Sequence, residues 1–228
     1  VANTLIDDSL VSRKRSGSRR FNDRTAVLVV IVFALVWLVG WFWTATPVTD
    51  LGVGNNMTQS GLQERWVQGQ VVVMVRHAER CDRSGNPCLG STDGITVNGS
   101  HSALAVGAGL QQMGLENARV IASPLTRTRQ TADFIMGRAV PTQNWIGDCD
   151  SGFKDAVLSH KKNSENLVLV THSGCIDQFE RKMGVRAGER SSDYTQAFFV
   201  KVDGRHTPKI LGSLNAEQWN NLDIEQLN

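Results

Sequence analysis

The sequence predicts a three-layer α/β/α domain with a mostly parallel sheet, preceded by one N-terminal transmembrane helix. Three observations lead there. Short continuous apolar runs alternate with segments of helical periodicity, chemistry-bearing polar residues stand directly after those runs, and one long charge-free apolar stretch lies near the N-terminus.

The apolar stretch comes first along the chain. No charged residue lies between Arg24 and Asp50, and residues 26–45 read AVLVVIVFALVWLVGWFWTA. At about 1.5 Å per residue, a helix of about 20 residues matches the roughly 30 Å of bilayer hydrocarbon. Trp37, Trp41 and Trp43 crowd its C-terminal half, as residues of an aromatic belt do. A cleaved signal peptide also begins basic and turns apolar. Here the run is long and ends in bulky residues, and Ala45-Thr46-Pro47 is a poor cleavage site, which favours an uncleaved anchor. The arm at residues 1–25 carries Arg13, Lys14, Arg15, Arg19, Arg20 and Arg24 against Asp7, Asp8 and Asp23. The positive-inside rule keeps that arm cytoplasmic and sends the rest across the membrane. Residues 46–69, rich in Gly, Asn, Gln, Ser and Thr, read as a flexible linker with an r.m.s. span of about 25–30 Å, with room for a short helix at 62–67.

The domain proper is expected over 70–228. Residues 71–75 (VVVMV) form a strand buried on both faces. Ala103, Val106, Leu110 and Met113 then mark a helix over 100–113, and residues 118–122 (ARVIA) a second strand. Ser123-Pro124 supplies an N-cap and a first-turn proline for a helix running to about Met136. Residues 167–171 (LVLVT) form another buried strand, followed by a helix with Ile176, Phe179 and Met183 on one face. Residues 196–202 and 209–211 read as further strands. In the full chain of 228 residues, 41% are hydrophobic and 20% charged, so wholesale disorder is excluded. The net charge is only +2, and beyond the arm 18 basic residues face 19 acidic ones, which argues against a general nucleic-acid binder.

Ligands of open α/β sheets bind beyond the carboxyl ends of the strands. Arg76 and His77 follow the first apolar run, Ser123 and then Arg127 follow the second, and His172 follows the third. Two arginines and two histidines therefore have the chance to meet at one sheet edge. Arginine grips phosphate bidentately, and a neutral imidazole in a cationic pocket is able to attack phosphorus. A second imidazole donates to the phosphoryl oxygens as charge moves. With guanidinium groups supplying the charge, no metal or other cofactor is required.

These residues resemble the histidine phosphatase superfamily, the phosphoglycerate-mutase-like fold. Its Arg-His-Gly hallmark appears as Arg76-His77-Ala78, and its second signature matches Ser123, Leu125, Arg127, Gln130, Thr131 and Ala132. The late histidine after an apolar strand matches His172, so the likeness spans roughly 70–212. The resemblance implies that His77 is the nucleophile and that Arg76, Arg127 and His172 bind the phosphoryl group. Arg80 fits an extra arginine of the acid-phosphatase branch and, with Ser123, joins the substrate-binding set. The stretch RHAERCDRSGNPC is most similar to the lipopolysaccharide core heptose phosphatase subgroup, which is periplasmic. Ala78 departs from the usual glycine, and Ser173 stands where the acid-phosphatase branch has Asp. The general acid is then sought among Asp148, Asp150 and Glu79, with Asp150 the choice.

Cys81, Cys88, Cys149 and Cys175 are an even set in a domain placed outside the cytoplasm, which implies two disulfides. Three connectivities are open. In one, Cys81–Cys88 closes a short polar loop and leaves Cys149–Cys175.

Together these readings describe a membrane-anchored phosphatase, placed at the inner membrane with its catalytic domain periplasmic. Its expected substrate is a phosphorylated small molecule or envelope glycan. Two alternatives stand beside that one: an inactive anion-binding ectodomain, and a phosphatase of phosphoproteins or soluble phosphosugars.

Overall fold

The structure is a computed structural model that describes residues 23–43, 46–115, 118–190 and 192–221. The chain divides into two compact units, Val1–Thr44 and Ala45–Asn228.

In the first unit, helix α1 covers Asp23–Trp43, 21 residues. Apolar side chains described in it are exposed, among them Val30, Phe33 and Trp37. Among the described residues, no helix is long and apolar enough to cross a membrane. Of the expected arm at 1–25, positions 1–22 lie outside the described residues, as do positions 44 and 45 of the expected span.

The second unit begins where a flexible linker was expected, and residues 46–69 are instead part of the packed domain. Helices α2 (Asn56–Ser60) and α3 (Leu62–Val67) meet at Gly61, whose φ of 62° lets the chain turn between them. Leu51, Met57, Leu62 and Trp66 are buried in the core. The backbone around Thr49 and Leu51 is tied to Ser213 by hydrogen bonds of 2.9 Å. Further on, Asn166 clamps the segment, donating to the Trp66 carbonyl (2.7 Å) while accepting from the Val71 N–H (3.0 Å). The polar average of this stretch conceals four well-spaced apolar anchors, and it is these that decide its fate.

Five strands form one sheet: β1 (Val71–Arg76), β2 (Ala118–Ala122), β3 (Asn166–Thr171), β4 (Ala197–Lys201) and β5 (Lys209–Leu214). Their order is β2-β3-β1-β4-β5. The β2–β3 and β3–β1 ladders are parallel, whereas β1–β4 and β4–β5 are antiparallel. The sheet is therefore mixed rather than mostly parallel. For β4–β5 the reason is legible in chain length: residues 202–208 are too few for the crossover of a dozen or more residues that a parallel pair needs.

Successive residues of β1 point to opposite faces and serve two cores. Val71, Val73 and Val75 join the cluster covered by α4 (Val97–Gln112) and α5 (Thr126–Met136). Val72 and Met74 join the cluster covered by α6 (Phe153–His160) and α7 (Ser173–Lys182). Helix α4 lies close to its neighbours because it is bare at two points. A Cβ on Gly107 would collide with the Ile135 backbone, and one on Gly109 with the Trp219 ring.

Candidate active site

Strand β1 ends at Arg76, and the chain leaves the sheet at His77, whose N–H still donates to the Thr171 carbonyl of β3 (2.9 Å). That bond holds His77 beside His172, the residue just beyond β3. Their ring centroids are 5.4 Å apart, in an edge-to-face arrangement. Ser123, just beyond β2, donates its N–H to the Val170 carbonyl (3.0 Å), and its Oγ lies 3.0 Å from His172 Nε2. Three parallel strands thus deliver three polar side chains to one edge.

The tautomer of His77 follows from its partner. Nδ1 donates to the Ala78 carbonyl at 2.8 Å, and because a carbonyl only accepts, Nδ1 carries the proton and Nε2 the lone pair. The Ala78 N–H in turn donates to Thr131 Oγ1 (2.9 Å), which pins this loop to α5. Burial pushes His77 down to about 3, and His172, Arg127 and Arg76 add to the effect against the Ala78 bond. Burial likewise lowers His172 to about 4, helped by Arg127 and Arg80. Both imidazoles are neutral at pH 7.

Two guanidinium groups complete the cluster. Each of Arg76 and Arg127 has a buried Nε–H without a hydrogen-bond partner. Burial lowers both from the ordinary arginine value, and repulsion from Arg80 contributes in each case. Arg76 is held by the Ser192 carbonyl (2.5 Å) and by the Tyr194 ring, whose centroid lies 4.0 Å from its guanidinium carbon. Arg80 is bound in a two-point pair with Asp82, with 2.7 Å from Nε to Oδ1. Buried donors left unpaired in a concentration of positive charge are arranged to receive a tetrahedral oxyanion.

Sequence reasoning placed some residues differently. The Ser123-Pro124 pair does not start α5, which begins at Thr126 with Leu125 in the N-cap position. Ser123 is buried against His172 instead. Asp150 is exposed, and its carboxylate accepts the Gly152 N–H at 2.8 Å. Glu79 accepts from Ser84 (2.9 Å), Thr96 (2.6 Å) and Asn86, bonds that hold it below the usual carboxylate range. It is a brace for the 79–96 loop rather than a proton donor. Both disulfides, Cys81–Cys88 and Cys149–Cys175, are present. The first closes that same loop, and the second ties the residue before Asp150 to the start of α7.

Tyr194 was missed. It stands 5.7 Å from the His77 ring as well as under Arg76, in a turn where Thr195 adopts φ 59° and donates its N–H to the Arg76 carbonyl (3.1 Å). The available signal was its position three residues before the start of β4. An antiparallel strand brings the residues that precede it to the edge where a parallel strand brings those that follow.

Comparison with known proteins agrees with this geometry. A family model described as histidine phosphatase superfamily (branch 1) matches residues 72–147. The chain is 39% identical over 192 residues, 81% of its length and 90% of the relative's, to a lipopolysaccharide core heptose(II)-phosphate phosphatase of Salmonella newport (strain SL254). It is 38% identical over 192 residues, with the same coverage, to that of Salmonella choleraesuis (strain SC-B67). Its fold is similar to that of the protein histidine phosphatase SixA complexed with tungstate, with TM-score 0.52 and 14% identity, covering 64% of this chain and 97% of the other.

Proposed function

The chain belongs to the histidine phosphatase superfamily and is a phosphomonoester hydrolase; from that premise we propose that it removes phosphate from a heptose of an envelope glycan through a phosphohistidine on His77. The observation that carries the mechanism is the His77 tautomer. The Ala78 carbonyl holds the proton on Nδ1, so the Nε2 lone pair is ready at neutral pH without a separate base.

Nε2 attacks phosphorus and forms the N–P bond. The P–O bond to the sugar breaks, its electron pair leaves on the sugar oxygen, and that oxygen takes a proton from water at the open side of the site. Arg76 and Arg127 place their unpaired Nε–H groups on the phosphoryl oxygens, while His172 and Ser123 share a proton beside them. A second water then attacks phosphorus and passes a proton to the hydroxide left by the first, the N–P bond breaks with its electron pair returning to Nε2, and inorganic phosphate leaves.

The heptose phosphate assignment is supported by the relatives' named substrate over most of both chains. The sequence of α1 and the basic arm supports a single-pass anchor in the inner membrane with the catalytic domain in the periplasm. The two disulfides support an oxidising compartment.

Two experiments test these statements. His77→Ala should reduce phosphatase activity to background and abolish the acid-labile, alkali-stable radiophosphate label that the parent acquires from substrate; retained labelling would overturn the nucleophile. Alkaline carbonate should leave the chain in the membrane pellet, with the catalytic domain digested by protease added to spheroplasts. Release by carbonate, or protection from protease, would overturn the anchor or its orientation.

A further inference from the structure

A cleft of about 410 Å³ adjoins the candidate site, within the roughly 300–1,000 Å³ usual for small-molecule sites. It shares two walls with the catalytic edge. Tyr194, which stands against His77 and Arg76, lines it, and so does Glu79, two residues beyond His77. Its floor is the first turns of α4, where Gly99 runs so close to the Ala78–Glu79 backbone that a Cβ there would stand 3.0 Å from the Glu79 N–H.

The chemistry of this cleft is opposite to that of its neighbour. Among the described residues, no lysine, arginine or histidine lines it. It is lined by Asn86, Asn98, Asn215 and Ser102, together with the acidic residues Glu79, Asp193 and Glu217. Amides and carboxylates pair with adjacent hydroxyl groups, and an aromatic ring packs against the apolar face of a pyranose. Three carboxylates repel a second phosphate.

We propose that this cleft is a subsite for a neutral, hydroxyl-rich sugar ring joined to the phosphorylated one. The phosphate then sits among Arg76, Arg127 and the two histidines, and the neighbouring sugar lies beyond Tyr194. The inference rests on the glycan reading above and adds that the adjoining residue is uncharged.

The test uses the full chain in detergent. An unphosphorylated methyl heptoside should shift the amide NMR signals of Asn98 and Ser102, and the absence of any shift overturns the subsite whether or not the chain hydrolyses glycans. Asn98→Ala and Ser102→Trp should each raise KM for a singly phosphorylated diheptoside by about tenfold, the scale of one or two lost hydrogen bonds. With nitrophenyl phosphate, which has no second ring, both variants should match the parent. Equal changes on the two substrates, or none on either, overturn the proposal. A diheptoside phosphorylated on both rings should be a poorer substrate than the singly phosphorylated one, and Glu217→Lys should narrow that gap; an unchanged ratio counts against the charge argument. If the parent turns over nitrophenyl phosphate and binds the methyl heptoside but hydrolyses no phosphorylated diheptoside, the glycan phosphatase reading fails while the sugar subsite stands.

Discussion

The two halves of the sheet reach the same edge by opposite routes. In the parallel half, β2, β3 and β1 each end at the site, and residues at or beyond their ends (Ser123 with Arg127, His172, and Arg76 with His77) lie there. In the antiparallel half, β4 starts at that edge, so its contribution is Ser192 and Tyr194, which precede it. The parallel half carries the groups proposed to react with or grip phosphate. The antiparallel half holds one of those groups, Arg76, in place. Side chains that perform chemistry and side chains that position them are thus sorted by strand direction.

That division can be broken by mutation. Arg127→Ala should cost about 10²–10³-fold in kcat/KM, as loss of one preorganised donor to transition-state charge does; a loss below tenfold would remove Arg127 from the phosphoryl site. Tyr194→Ala should cost about tenfold, the worth of a partly desolvated cation–π contact, with Tyr194→Phe recovering most of it because the ring remains. If Tyr194→Ala matched Arg127→Ala, the antiparallel half would have to be counted among the reacting groups.

The smallest expected effect concerns acid and base. His77 and His172 are lowered to about 3 and about 4, so both stay neutral as pH falls through 6.5 and lose the lone pair only near those values. After correction for the substrate's own ionisation, kcat/KM should hold from pH 7 down to about 5 and fall only below it. An acid limb near 6.5 would mean that His77 is not buried as described. The profile of Asp150→Asn should superimpose on that of the parent within about threefold; a larger loss with a displaced basic limb would return Asp150 to the role of proton donor.

How much of this was readable beforehand differs by element. The β2 boundaries match the expectation to the residue, and β1 and β3 each differ by one, because a run such as VVVMV has no other stable use in a water-soluble domain. The convergence of the two histidines was readable for the same reason, since each follows a buried strand. The folded state of residues 46–69 was not, because single apolar residues at Leu51, Met57, Leu62 and Trp66 give no local periodicity and find their partners only in the assembled core. Asp150 was chosen from the acidic residues between the second and third motifs, and the structure turns its carboxylate to the Gly152 N–H.

Sequence alone therefore settled which side chains leave the sheet after each buried run, since local hydrophobic pattern decides where a strand stops and what comes next. The antiparallel pairing of β1 with β4, the proton on His77 Nδ1 and the placing of Tyr194 beneath Arg76 were decided only in the tertiary structure. Each depends on a partner far away along the chain or on a backbone turn, and hydrogen bonds of that kind have no signature in local composition.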